Sequence, residues 1–193
     1  MRCAWVPDNS AIYADYHDDE WGRPAQTAVQ VFEKICLEGF QSGLSWITVL
    51  KKRERFREVF SGFDFEAVAK YGEKEIALLL DDAGIIRHRG KIESVINNAK
   101  RAIELESTDG LVDWVWSFAD PFSSDYRQLE IDSVPATTDQ SKEMAKALKK
   151  KGWSFVGPTT AYAFMQSEGL VNDHVVGCDW FETCEELRSR VLN

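Results

Sequence analysis

The chain has 193 residues, 44% of them hydrophobic and 12% aromatic, which is enough for a packed core in one large domain or two small lobes. A net charge of −9 excludes a protein that coats nucleic acid indiscriminately, and no stretch approaches the roughly 18 apolar residues of a membrane span. No apolar run follows the basic start, because Met1-Arg2-Cys3 leads into Pro7-Asp8-Asn9, so the cytoplasm is the expected location and the four cysteines read as thiols or metal ligands.

From the N-terminus, the first candidate chemistry is Cys3 with His17, matched in type by His174-Val-Val-Gly-Cys178 near the other end. An i, i+4 spacing puts His174 and Cys178 on one side of a helical turn. Four N or S ligands make a closed zinc site, which here would tie the two ends of the chain together. The same residues also read as small buried cysteines beside two unrelated histidines.

Apolar residues at helical spacing predict helices over 27–40, 45–60, 74–82, 89–106 and 139–150, and strand signals are nearly absent. The expected fold class is all-α. Asp64 and Thr138 resemble helix N-caps, and Gly72 and Gly152 resemble stops. Cys36 is expected in the core and Cys184 in an acidic tail. The stretch 120–138, with Pro121, Ser123, Ser124 and Pro135, is expected to form a long loop between lobes.

Glu38 sits at an apolar helix end, Ile35-Cys36-Leu37-Glu38-Gly39-Phe40, followed by the glycine-punctuated turn Gln41-Ser42-Gly43-Leu44-Ser45-Trp46. A buried acid needs a partner or a job. Trp5, Tyr13, Tyr16, Trp21 and Trp46 surround it in sequence. One reading is a tryptophan-rich core with a capping glutamate. The other is a pocket whose rings sandwich a planar ligand while Glu38 meets the ligand's edge.

Positive charge is bunched at Lys51-Lys52-Arg53, Arg87-His88-Arg89-Gly90-Lys91 and Lys149-Lys150-Lys151. Such bunches are either solvated faces or, beside glycines and helix ends, places where backbone amides meet phosphate. The segment from Ala147 to Phe164 reads as helix, short turn, helix, with Gly157-Pro158 opening the second helix. It is similar to the helix-hairpin-helix of DNA repair enzymes, and an ordinary corner between two helices has the same pattern.

Five separated blocks carry a wider likeness: Cys3-Ala4-Trp5-Val6, Tyr16-His17-Asp18-Asp19-Glu20-Trp21-Gly22, Ile35 to Lys52, Asp82 to Ile92, and Gly169-Leu170-Val171-Asn172-Asp173-His174. From about residue 2 to 178 the chain resembles the bacterial type I 3-methyladenine DNA glycosylases. The resemblance implies a helical helix-hairpin-helix glycosylase fold in which Cys3, His17, His174 and Cys178 hold a structural zinc. It makes Glu38 the acid that contacts the methylated base and Trp46 the ring that stacks on it. Tyr16, Tyr13 and Trp5 become pocket residues, and Leu44 a wedge that fills the gap left by an extruded nucleotide. Gly152, Val156, Gly157, Thr159 and Lys151 of the hairpin are expected to meet the DNA backbone. Thr159 stands where strand-cutting relatives place a lysine, so an enzyme without lyase activity is expected. Asp173 is expected as the partner of His174.

The implied partners are alkylated double-stranded DNA and free 3-methyladenine as product, with no membrane, and a monomer is expected. The alternative class is a non-catalytic damaged-DNA-binding module of the same fold. A zinc hydrolase is disfavoured because four protein ligands leave no open position. Beyond Cys178 the chain departs from the family, and the Glu182–Leu192 tail is expected to pack on the surface.

Overall fold

Helices form wherever the apolar periodicity and the caps agree, and the computed structural model has eleven of them with no strand among its described residues, 1–119 and 129–192. In chain order they are α1 (Ala11–Asp19), α2 (Ala28–Gln41), α3 (Trp46–Leu50), α4 (Arg53–Val59), α5 (Phe65–Val68), α6 (Glu73–Asp81), α7 (Arg89–Glu106), α8 (Leu111–Trp116), α9 (Asp139–Lys150), α10 (Pro158–Ser167) and α11 (Phe181–Leu192). None of them is long and apolar enough to cross a membrane.

The expected caps hold with one exception. Asp64 accepts from the amides of Glu66 and Ala67, and Thr138 from that of Ser141, each satisfying donors that a helix start leaves free. Gly152 adopts φ +85° just past α9, the left-handed conformation that ends a helix without Cβ strain. Gly72 is not a stop; it opens α6, its amide donating to Glu75 Oε2 at 2.8 Å. The helix expected over 45–60 is broken at Lys51-Lys52 into α3 and α4.

Two helices had little sequence signal. The inward residues of α1 are Tyr16 and His17 rather than aliphatic side chains, and α8 has only six residues. Pro121, Ser123 and Ser124 of the expected 120–138 loop lie outside the described residues. Its described part, 129–138, is irregular apart from a 3₁₀ turn at Ile131–Ser133.

The main core is built on α2, whose Phe32, Leu37 and Phe40 are 0–1% exposed among the phenylalanines of α4 and the 60–65 turn, the inner face of α7, and α9 and α10. A second, aromatic cluster gathers Cys3, Tyr16, Trp21, Leu50, Val175 and Cys178. Trp46 packs against both clusters. The C-terminal helix is more than a surface addition. Cys184 is 1% and Arg188 3% exposed, Arg188 Nε donates to the Leu170 carbonyl at 3.2 Å, and Asn172 Nδ2 donates to the Phe181 carbonyl at 3.0 Å. Cys36 lies in the core as expected.

Candidate active site

A cavity of about 210 Å³ opens where α1, α2, α3 and α10 converge, lined by Trp5, Tyr13, Tyr16, Trp21, Glu38 and Trp46, together with Gln41, Ile131, Val134, Ala163, Gln166 and Asp173. The five aromatic residues and Glu38, read from the sequence as either core or pocket, thus share one pocket. Trp5 packs edge-on against Tyr13 at 5.9 Å and Trp21 at 5.1 Å, and Tyr16 lies 5.3 Å from Trp46. Tyr13 also orients the opening of α3, since its hydroxyl accepts from the Ile47 amide at 3.1 Å.

Glu38, near the C-terminal end of α2, is 4% exposed and its Oε2 has no hydrogen-bond partner. Burial pushes its carboxyl up to about 8, Lys34 pulls it down and Glu168 adds to the rise. The indole Nε1 of Trp46 is likewise buried without a partner. Buried polar atoms are nearly always satisfied, so two orphaned atoms on one aromatic cavity mark a place prepared for a polar, planar guest.

Leu44 sits 43% exposed beside Gly43, whose φ of +77° makes the sharp turn after α2. A lysine holds that turn. Lys91 of α7 is 6% exposed, and its ammonium donates to the carbonyls of Phe40 at 2.9 Å and Ser42 at 2.6 Å, satisfying the C-terminal end of α2. Burial lowers its pKa.

Other members of the basic bunches are also committed to the protein. Lys52 donates to the Ala83 carbonyl at 2.7 Å, Arg53 to Glu20 at 2.7 Å, and Arg89 pairs with Glu73 and Glu93. Lys51, Arg87, Lys149 and Lys150 remain exposed.

Beside the pocket, Cys3, His17, His174 and Cys178 are all buried, with one ligand atom from each inside a group spanning 4.8 Å, an arrangement that can hold a metal ion. Cys178 Sγ lies 3.5 Å from His17 Nε2 and 3.3 Å from His174 Nδ1, and Cys3 Sγ lies 3.6 Å from His174 Nδ1. Burial lowers His174 to about 4, keeping it neutral as a ligand must be. Trp21 separates this cluster from the cavity, stacking on His17 at 6.0 Å and meeting His174 edge-on at 4.7 Å.

The expected pairing of Asp173 with His174 is not what the structure has. Asp173 Oδ2 accepts from Tyr162 Oη at 2.5 Å and from Gln166 Nε2 at 2.8 Å, which turns its carboxylate to the cavity. Asp18 is the carboxylate that meets the Cys/His cluster, with its Oδ1 2.9 Å from His17 Nδ1. The sequence reading missed Asp18, although it directly follows His17. It also missed Gln166, whose i, i+4 relation to Tyr162 on α10 aims both at Asp173.

The hairpin residues fall together in the turn joining α9 to α10 and at the start of α10. Gly157 caps α10 with Pro158 in its first turn, Thr159 is exposed, and Val156 is 2% exposed. Lys151 is exposed, with its Nζ 3.5 Å from Asp109 and 5.6 Å from the Trp114 ring centroid.

A family model described as methyladenine glycosylase matches residues 5–182. DNA-3-methyladenine glycosylase 1 of Escherichia coli (strain K12) is 49% identical over 178 residues, covering 92% of this chain and 95% of that protein. DNA-3-methyladenine glycosylase of Haemophilus influenzae is 50% identical over 180 residues, covering 92% and 96%. A crystal structure of 3-methyladenine DNA glycosylase I superposes with a TM-score of 0.86 at 47% identity, covering 93% of this chain and 98% of that one. The Staphylococcus aureus 3-methyladenine DNA glycosylase I, solved to show its recognition of 3-methyladenine, superposes at 0.85 with 29% identity, covering 93% and 96%.

Proposed function

Because this chain belongs to the methyladenine glycosylase family, we propose that it excises 3-methyladenine from alkylated DNA by hydrolysis of the N-glycosidic bond, as the first step of base excision repair. The observation that carries this reading is the Glu38 carboxyl, buried on an aromatic cavity with one oxygen unpaired.

Methylation at N3 makes adenine cationic and weakens its bond to the sugar. The enzyme then needs to extrude the nucleotide, recognise the base and shield the developing oxocarbenium ion. A carboxyl raised by burial regains its charge when a cation lies beside it. A neutral adenine brings no such compensation, so the same pocket rejects it. Stacking on Trp46 and contact with Tyr16 add a cation–π attraction of about 0.5–2 kcal/mol. Tyr13 and Trp5 keep the rings in place.

Leu44, at the exposed tip after α2, serves as the wedge that replaces the extruded nucleotide in the stack. Phosphate binding falls to the hairpin, where Gly152 makes the turn that ends α9, Lys151 beside it adds charge, and Val156, Gly157 and Thr159 stand at the start of α10, whose first amides face outward from the helix end. This is the helix-hairpin-helix role. A threonine at 159 offers no amine for strand cleavage, so the product is an abasic site in intact DNA.

Zinc fits the Cys3, His17, His174 and Cys178 cluster. Tetrahedral bonds of about 2.3 Å to sulfur and 2.0–2.1 Å to nitrogen put S and N ligands about 3.6 Å apart, close to the 3.3–3.6 Å separations present. Bound zinc would supply structure rather than chemistry, because four protein ligands close the site.

The test is chromatography of bases released from methylated duplex DNA by the wild type and by Glu38→Gln. Release of 3-methyladenine that the variant loses is expected; no release from folded wild type overturns the reading.

A further inference from the structure

Buried charge continues behind the pocket wall. Lys34 stands one helical turn before Glu38 on α2, 16% exposed, with its ammonium 3.7 Å from Glu168 Oε1, 3.5 Å from the Ser167 carbonyl and 5.5 Å from the centroid of the Tyr16 ring. Glu168, just past α10, is 1% exposed. Its Oε2 accepts from the Ala25 amide at 3.1 Å, while its Oε1 is buried without a hydrogen bond. A second cavity, of about 190 Å³, lies against this pair and is lined by Lys34, Glu168 and Arg23.

We propose that Lys34 and Glu168 are positioning residues for Glu38, a half-buried ammonium and a buried carboxyl that set whether Glu38 is charged and hence how strongly the pocket prefers a cationic base over a neutral one. The consequence for base choice rests on the glycosylase reading above; the charge coupling does not.

Charge is costly in a poorly solvated region. Two buried carboxyls, Glu38 and Glu168, both lean on the Lys34 ammonium, so ionising both at once is disfavoured. Burial pushes Glu38 to about 8 and Glu168 to about 7, and Lys34 lowers both. The ionised form of Glu168 also raises Glu38. A positive charge in the base cavity offsets that cost and favours the ionised form of Glu38. A neutral base leaves the cost in place.

Of the other charged groups facing this region, Arg23 keeps its charge, its partner being a neutral carbonyl and its Nε buried without a partner, and Glu33 adds to the rise of Glu168. Glu33 pairs with Arg57 at 2.8 Å, Arg23 donates to the Asp18 carbonyl at 2.7 Å, Glu20 pairs with Arg53, and Asp173 is held by Tyr162 and Gln166. Tyr16 is raised well above the ordinary tyrosine value by burial, so it stays neutral.

The experiment is a pH titration of the Glu38 side-chain carboxyl by carbon-13 NMR in the wild type, Glu168→Gln, Lys34→Met and Lys34→Arg. Glu168→Gln, which keeps an acceptor for the Ala25 amide, is expected to lower the Glu38 midpoint by about one pH unit. Lys34→Met is expected to raise it by a similar amount, and Lys34→Arg to leave it near the wild type. An unmoved midpoint in Glu168→Gln overturns the proposal, and that variant decides alone should Lys34→Met fail to fold.

The rising limb of 3-methyladenine release against pH is expected to move in the same order. A loss equal at every pH would show a merely structural role and would also overturn it. Shifted midpoints in a protein that releases no base would refute the glycosylase reading and leave the coupling supported.

Discussion

Glu38 and Trp46 face one cavity, and each keeps a buried polar atom, the carboxyl Oε2 and the indole Nε1, without a partner in the protein. Both atoms were desolvated on folding with no hydrogen bond in return, a cost that binding a base can recover.

That cost has a pH dependence. The Glu38 carboxyl goes from an ordinary 4.5 to about 8 on folding. The folded state therefore holds this proton more tightly. The group's contribution to stability is full below about pH 4.5 and is lost as pH rises through about 8. Glu38→Gln, which carries no charge to desolvate, is expected to be more stable than the wild type at pH 8.5 by roughly 2–4 °C in Tm for each kcal/mol recovered, with the gap closing by pH 5. Thermal melts at the two pH values check this, and a gap independent of pH would contradict it.

Lys91 anchors the end of α2 through two carbonyls. Lys91→Met keeps the stem but leaves both acceptors unpaired in a buried place, at a cost of about 2 kcal/mol. A urea titration is expected to show that loss. Base release is expected to fall further than stability alone explains, because the Gly43-Leu44 turn loses its support.

Leu44 is exposed and contributes little to the core. Leu44→Ala is expected to keep the wild-type Tm while slowing release from duplex DNA about tenfold, the equivalent of roughly 1.4 kcal/mol of lost extrusion support. Release from single-stranded DNA, where no stack must be filled, is expected to be nearly unchanged. Equal slowing on both substrates would remove the wedge assignment.

Asp18 bonds His17 Nδ1 and is itself paired with Arg2 at 2.7 Å. Asp18→Ala frees the ring to rotate and is expected to weaken zinc binding roughly 10–100-fold, measured by competition with a chelator. Cys178→Ser is expected to do more, lowering stability across the whole protein, since structural zinc contributes on the order of 10 kcal/mol in small domains. A fully stable Cys178→Ser protein would argue against a structural metal.

Much of this molecule was legible as a string of residues. The spacing of Leu, Ala, Ile and Val placed α2, α6, α7 and α9 within a residue or two, and the caps at Asp64 and Thr138 marked helix starts, because both are local effects of side-chain period and backbone donors. Helix α1 escaped notice because its buried face is made of Tyr16 and His17, whose burial depends on partners that are distant in sequence. The candidates Glu38, Trp46, Tyr16, Tyr13 and Trp5, which line one cavity, and the gathered Cys/His set were legible by type and motif.

Other relationships existed only in three dimensions. The sequence alone determined where α2, α6, α7 and α9 form and which residues were candidates for the chemistry, since periodicity, caps and residue type are properties of neighbours along the chain. The tertiary structure decided that Asp173 turns to the cavity and Asp18 to His17, that Lys91 is spent on carbonyls rather than left for phosphate, and that Lys34 meets the buried Glu168. Each of these depends on the direction of a side chain and on how much water its surroundings admit, and both are set by packing between segments up to 161 residues apart in the contacts Cys178–His17, Ala25–Glu168 and Arg188–Leu170.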